Sequence, residues 1–226
     1  FINALEISQA AGNRVGEGEL LGRLGNLYIF EGAYAEAIEY YQQAIEIAKK
    51  TGNRRNEGVN LANLGICYQV LSQHQKALQY YQLAQSIAKE TGNRSGELKN
   101  IGNMGIVYDK LGEYQKAIEQ YHKSIEIAME IGNKKSEGIH RGNLGVAYQN
   151  LGYYHLAIEQ YTRAIEIVTQ LGNQRPQGIF IGNLGNIFIE LERWDEAEER
   201  VLSAIEIFKK INFVIGLGVF QGSLAI

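Results

Sequence analysis

The sequence predicts an all-α chain in which one helical hairpin is repeated from end to end. Three observations lead to this expectation. Residues recur at a fixed spacing of 40 with no insertion or deletion, apolar residues within each period are three to four apart, and the 226 residues include only one proline. Apolar residues at that spacing line one face of an α-helix, whereas proline interrupts helices. We therefore expect a solenoid of stacked helix–turn–helix units.

The period is clearest in the small residues. All 26 glycines fall at six positions of the period. One series is Gly25, Gly65, Gly105, Gly145 and Gly185. A second series, twelve residues further on, is Ala37, Ala77, Ala117, Ala157 and Ala197. Glycine inside a helix costs about 0.5–1 kcal/mol relative to alanine. The recurrence therefore predicts close helix packing at these positions.

Each period contains two helices, which we call A and B. In the first full period the apolar spacing places helix A at about 14–31 and helix B at about 34–50. A glycine–asparagine pair such as Gly52-Asn53 separates helix B from the next helix A at five junctions, and Asn212-Phe213 stands at the sixth. Glycine adopts the left-handed conformation that ends a helix, and asparagine can cap the following one.

These boundaries predict one array over residues 1–226. The full repeats are expected at 14–51, 54–91, 94–131, 134–171 and 174–211. The remaining pieces are a helix B at 1–11 and a helix A at 214–226. Because both end pieces are half hairpins without polar caps, we expect a fragment of a larger protein, with ends that allow end-to-end self-association.

The motif Leu24-Gly25-x-x-Tyr28, followed after a turn by Tyr34-x-x-Ala37, Tyr41 and Ala44, resembles the tetratricopeptide repeat signature. Five copies cover almost the whole chain. The period exceeds the usual length of about 34 residues, and Leu21 and its equivalents replace the tryptophan that the family favours. HEAT repeats share the period but lack these small-residue positions.

The longer repeat and its glycine–asparagine junction are similar to the repeats of LGN/Pins-type scaffolds and of bacterial and cyanobacterial signalling proteins. The resemblance implies a right-handed superhelix of five full hairpins with a half repeat at each end. It also implies a concave groove lined by the A helices.

Composition argues against several classes of function. The net charge is −3 and the pI about 5.9, so no global attraction to nucleic acid or an anionic membrane is expected. Cys67 is the single cysteine, which excludes a disulfide within the chain and favours a cytoplasmic location. No apolar run is long enough to cross a bilayer.

No motif indicates catalysis or a cofactor. The four histidines fall at unrelated places in the period and form no zinc-binding pattern. Cys67 stands where other repeats have Val107 and Ala147, which favours a core residue over a nucleophile. We therefore expect no catalytic residue, no metal site and no cofactor, and interpret the chain as a non-enzyme.

One row of polar residues stands out among the positions that the resemblance places in the groove. It consists of Arg23, Asn63, Asn103, Asn143 and Asn183. Each amide offers both a donor and an acceptor, so it can hold the backbone of an extended peptide. In the resembled family, asparagine at this position commonly does so. Alternatively, each asparagine bonds to a neighbouring helix of the array.

Flanking positions on the A helices would provide specificity. The candidate contacts are Asn26, Ile66, Ile106, Val146, Asn186, Lys99, Ile139, Gln69, Asp109 and Gln149. Their apolar members would suit a ligand that presents Leu, Ile or Phe side chains. Alternatively, Ile66 and its equivalents pack against the next helix.

A series of basic residues follows the glycine–asparagine junctions. Its members are Arg14, Arg54, Arg94 and Lys134. We expect these side chains to form a solvated rim that pairs with nearby glutamates. A positive ridge for an acidic ligand is the alternative.

The sequence thus predicts a protein-interaction scaffold that binds an extended or helical peptide in a concave groove. An alternative is the sensor or recruitment arm of a multidomain signalling protein, such as a protease, kinase, ATPase or transcription regulator. A more remote alternative is an RNA-binding helical repeat, which the acidic pI disfavours. The expected partner is a protein or peptide, not a nucleic acid or a membrane.

Overall fold

A computed structural model describes residues 2–221 of the chain. Within this range it contains twelve α-helices and no β-strand, which confirms the all-α fold class. The helices are α1 (Ile2–Ala10), α2 (Arg14–Phe30), α3 (Tyr34–Lys50), α4 (Arg54–Val70), α5 (His74–Glu90), α6 (Arg94–Lys110), α7 (Tyr114–Glu130), α8 (Lys134–Asn150), α9 (Tyr154–Gln170), α10 (Gln174–Glu190), α11 (Trp194–Lys210) and α12 (Val214–Gln221). The outermost parts of the predicted end pieces, residue 1 and residues 222–226, lie outside the described residues.

Two devices recur at the helix boundaries, although Asn173 makes no side-chain cap bond at the start of α10. Gly52 ends α3 in the left-handed conformation, with φ of 68°, and Asn53 Oδ1 then accepts the Asn56 N–H at 3.1 Å to cap α4. Inside the hairpins, glycine again takes positive φ except where Ser72 and Glu192 adopt 57° and 56°. The helix limits therefore follow local sequence signals.

The chain divides into two compact units, residues up to Val107 and residues from Tyr108 onward. Inside the first unit, α3 packs against both α2 and α4, and α4 packs in turn on α5. Inside the second, α8, α9, α10 and α11 pack consecutively in the same way. Packing between sequence neighbours is typical of repeat proteins. None of the helices within residues 2–221 has the length and apolar character needed to span a bilayer.

A glycine of helix A and a tyrosine of helix B form a core contact in several hairpins, whereas in the last hairpin Gly185 meets Val201. Tyr41 and Tyr81 on the B helices are fully buried. A Cβ atom at Gly25 would lie 2.6 Å from the Tyr41 ring, and one at Gly65 would lie 2.5 Å from the Tyr81 ring. Real Cβ atoms do not approach this closely, so helix A can seat on the tyrosine only where it carries glycine. The predicted close packing is confirmed.

Gly22 has a different role, which the sequence did not reveal. A Cβ atom there would lie 2.7 Å from Asn60 Oδ1, a side chain of the following helix A. In the second unit, Gly142 faces Phe180 in the same manner, at 2.1 Å. Glycine at this position therefore allows the A helices of successive repeats to approach closely, whereas Gly25 and Gly65 serve the packing inside a hairpin.

Buried glutamates neutralise the basic residues that follow the junctions. Arg14 pairs with Glu17 at 2.8 Å, and Lys134 pairs with Glu137 at 2.9 Å. Arg54 and Arg94 make the equivalent pairs with Glu57 and Glu97. Burial alone would raise the pKa of Glu137, but hydrogen bonds from Lys134 and Arg141 bring that pKa below its usual value. The expected pairing of this series with nearby glutamates is confirmed.

Candidate functional site

A groove of about 440 Å³ lies between two A helices of the first unit, α4 and α6. Asn63 and Ile66 line it from α4, and Lys99 and Asn103 line it from α6. Ala84, Ile87 and Ala88, in the C-terminal part of α5, also line it. The structure thus brings together, in one groove, residues that the sequence analysis selected from three separate positions of the period.

A second groove, of about 280 Å³, lies between α2 and α4. Arg23 and Asn26 line it from α2, and Asn63 and Val59 line it from α4. Since Val59 and Asn63 line both grooves, the two adjoin along α4.

The asparagine row divides into two groups. Asn63 Nδ2 donates to Asn26 Oδ1 at 3.2 Å, and Asn183 Nδ2 donates to the Tyr161 hydroxyl at 3.4 Å. By contrast, neither the Asn103 nor the Asn143 side chain has a hydrogen-bond partner within residues 2–221. All four side chains are half-buried. Bonding within the array therefore accounts for two of these amides, while two present donors and acceptors that nothing in this range uses.

Gln69, Asp109 and Gln149 connect the core to the A-helix surface. They accept hydrogen bonds from the hydroxyls of Tyr81, Tyr121 and Tyr161 at 2.8, 2.8 and 3.0 Å, respectively. Sequence reasoning missed this role. The available signal was a polar residue twelve positions before each of these three tyrosines, because a buried hydroxyl needs a partner.

Asp109 is the single carboxylate in this group of three. One of its oxygens accepts the Tyr121 hydroxyl, whereas buried Oδ1 has no partner within residues 2–221. Burial raises the pKa of Asp109 above its usual value, although the bond from Tyr121 acts in the opposite direction.

The apolar candidates of the second unit are shared between surface and core. Ile139 and Val146 pack against a buried cluster that includes Tyr161 and Phe180, yet both remain half-buried. Asn186 on α10 is half-buried as well, as is Ile106 in the first unit. Ile139 and Val146 therefore fit both interpretations made from the sequence, packing and binding.

No group of three or more metal-binding side chains occurs within residues 2–221. Cys67 is buried, and burial raises the pKa of its thiol to about 11, as expected for a core residue and not for a nucleophile. Burial lowers the pKa of His140 to about 4, so this imidazole is neutral at pH 7.

Several solved structures are similar to the chain. BtubC (BKLC) from P. vanneervenii superposes with a TM-score of 0.82 at 19% identity, over 93% of this chain and 89% of that one. A signal transduction ATPase with a tetratricopeptide repeat sensor, from Pyrococcus horikoshii, gives 0.81 at 20% identity, over 92% of this chain and 33% of that one. The Rap conjugation gene regulator of plasmid pLS20, in complex with the Phr* peptide, gives 0.70 at 17% identity, over 95% and 59%. At these identities the likeness shows the fold alone.

Curated protein sequences contain no match to this chain. The sequence profile of the tetratricopeptide repeat, however, matches residues 1–50, 58–130 and 136–210, which together make up well over half of the chain. The matched ranges include the buried tyrosines and the glycines against which they pack. The chain belongs to the tetratricopeptide repeat family.

Proposed function

We propose that one face of the A helices binds an extended peptide segment of a partner protein. This A-helix face is the one that carries Asn63, Asn103, Asn143 and Asn183. In the first unit, Asn63 and Asn103 hold the peptide backbone, and in the second Asn143 and Asn183 do so. The observation that carries the proposal is the groove between α4 and α6, in which Asn63 and Asn103 lie on its two opposite helices.

The chemistry of this groove suits a peptide backbone. The Asn103 amide has no partner within residues 2–221, so it can donate to a peptide carbonyl and accept from a peptide N–H. Val59, Ala62 and Ile66 supply apolar wall beside it. Because these side chains are carried by helices, and Asn103, Ala62 and Ile66 are half-buried, little conformational entropy is lost when a ligand binds.

A similar protein supports the type of ligand. The Rap conjugation gene regulator carries the same fold and is in complex with the Phr* peptide. A repeat array that presents the same kind of helical surface is therefore a reasonable receptor for a peptide. The proposal does not require any catalytic group.

The test uses linear dodecapeptides that the chain enriches from a random library. We expect the double variant Asn63→Ala/Asn103→Ala to bind the enriched peptides about tenfold to a hundredfold more weakly, since each lost hydrogen bond contributes about 0.5–1.5 kcal/mol. Asn150→Ala, on an exposed position at the end of α8, is the matched control. Unchanged affinity in the double variant, with an unchanged helical circular dichroism spectrum, would refute the proposal.

A second candidate is a sensor, which the similarity to the repeat sensor of a signal transduction ATPase favours. A sensor must have two states that differ in their free energy of ligand binding. Amide hydrogen exchange with and without an enriched peptide separates the two functions. Changes confined to the helices that line the groove indicate a scaffold, whereas changes that extend to distant helices of the same unit indicate a sensor.

A further inference from the structure

The basic residues of the first unit fall into two groups. Arg14 and Arg54 are neutralised by buried glutamates. Arg55 and Lys99, by contrast, have no carboxylate within ion-pair distance among residues 2–221, and both line the groove between α4 and α6. The lining of this groove, within the same range, includes no aspartate or glutamate. The groove is therefore positively charged although the chain carries a net charge of −3.

Asn100 provides independent evidence for a ligand. It lines the same groove, is only 3% exposed, and its Oδ1 accepts no hydrogen bond within residues 2–221. Asn60 and Leu20 occupy the equivalent positions one and two periods before Asn100. The fold therefore accepts an apolar side chain at this point. A buried acceptor without a donor lowers stability, which a leucine of similar shape would not do. We interpret the Asn100 oxygen as the acceptor of a hydrogen bond that a bound ligand donates.

The groove between α4 and α6 is continuous with a neighbouring groove. It adjoins the groove between α2 and α4 through Val59 and Asn63, so a ligand chain can run through both. The adjoining grooves can therefore hold a carboxylate that belongs to a side chain within a longer peptide. An extended peptide also has a backbone N–H at each residue to meet the Asn100 oxygen.

From these features we infer that the groove between α4 and α6 selects an acidic peptide segment. The carboxylate of an Asp or Glu side chain lies between Arg55 and Lys99, and a neighbouring peptide N–H donates to Asn100 Oδ1. This inference rests on the proposed peptide binding and specifies the ligand of that site.

The test applies a library of linear dodecapeptides to the full chain. Acetylated N termini and amidated C termini ensure that every carboxylate comes from a side chain. We expect Asp and Glu to be enriched, and a Glu→Gln exchange in a selected peptide to weaken binding about tenfold, because a charge-assisted hydrogen bond is replaced by a neutral one. The variant Arg55→Gln/Lys99→Gln should lose a similar factor and show a weaker salt dependence. Lys49→Gln, an exposed charge removal outside the groove, should change neither.

Asn100→Leu distinguishes a ligand contact from a structural role. Leucine removes the unpartnered acceptor, so the variant should melt at a higher temperature than the wild-type chain and yet bind the selected peptides more weakly. A lower melting temperature together with unchanged affinity would show that the asparagine serves the fold alone, and would overturn its assignment.

Different results separate this inference from the function on which it rests. If peptides are enriched without Asp or Glu and Arg55→Gln/Lys99→Gln binds them normally, the inference fails while peptide binding stands. If an RNA dodecamer binds at the same salt concentration more tightly than any acidic peptide, the ligand class is wrong. If no peptide is enriched at all, the proposed function itself fails.

Discussion

Tyr81 illustrates how single residues couple the core of a repeat to the surface of helix A. Its ring is fully buried against Gly65, while its hydroxyl donates to Gln69 on helix A at 2.8 Å. Tyr161 repeats the arrangement with Gln149. The tyrosine that fills the core therefore also fixes the orientation of a polar side chain on the A helix.

Substituting Gly65 by alanine tests this packing. The new Cβ atom would lie 2.5 Å from the Tyr81 ring, so we expect a loss of about 1–3 kcal/mol from overpacking, despite the better helix propensity of alanine. Urea unfolding followed by circular dichroism measures the loss. Gly218→Ala is the control, because a Cβ atom there has no neighbour within 4 Å among the described residues. An equal effect in both variants would contradict the packing argument.

His140 predicts a pH dependence of stability. Burial lowers its pKa from 6.5 to about 4, so the folded chain favours the neutral imidazole. The unfolding free energy is therefore highest above pH 6.5 and falls progressively as the pH falls towards 4, because the unfolded chain then binds a proton that the folded chain does not. We expect His140→Phe, with the side chain that Phe180 provides at the equivalent position, to reduce the fall in melting temperature between pH 6.5 and 5.

At pH 5, this proton binding by unfolded His140 lowers the unfolding free energy by about 1–2 kcal/mol. His155→Gln, at an exposed position of α9, should leave the pH profile unchanged. Parallel profiles for the wild-type chain and His140→Phe would show that another group causes the acid sensitivity.

At the scale of helices, the sequence was informative about local features and less so about contacts between repeats. The limits of α4 follow from Gly52, Asn53 and the apolar spacing, all of which are local. The bond from Asn63 to Asn26 and the contact of Gly22 with Asn60 join residues about one period apart. Such contacts depend on how closely the A helices approach, which neither propensity nor capping determines.

The neighbouring arginines at the start of α4 provide a matched pair of tests. Arg54 bonds both Glu57, which is buried, and Glu90 at the end of α5. Arg54→Ala leaves the Glu57 carboxylate buried without its partner, so we expect a clearly lower melting temperature. Arg55→Ala, which breaks no ion pair within residues 2–221, should change stability by less than about 0.5 kcal/mol. The two melting temperatures decide the matter, and similar values would contradict these assigned roles.

At the scale of the whole molecule, periodicity was sufficient to predict the class of fold. A 40-residue register with small residues at fixed positions admits hairpin after hairpin and little else. The division into two compact units could not be predicted, because every period has the same pattern. Which asparagine side chains have hydrogen-bond partners could not be predicted either, because the residue type is the same with and without a partner.

The central claim is that the A-helix face is the binding surface, and photo-crosslinking tests it most directly. An enriched dodecapeptide carrying one benzophenone side chain is irradiated with the full chain, and the crosslinked residues are identified by mass spectrometry. We predict attachment at the residues that line the groove between α4 and α6, such as Val59, Lys99 and Asn103. Attachment instead to the exposed face of the B helices, for example at Gln42 or Gln82, would contradict the account.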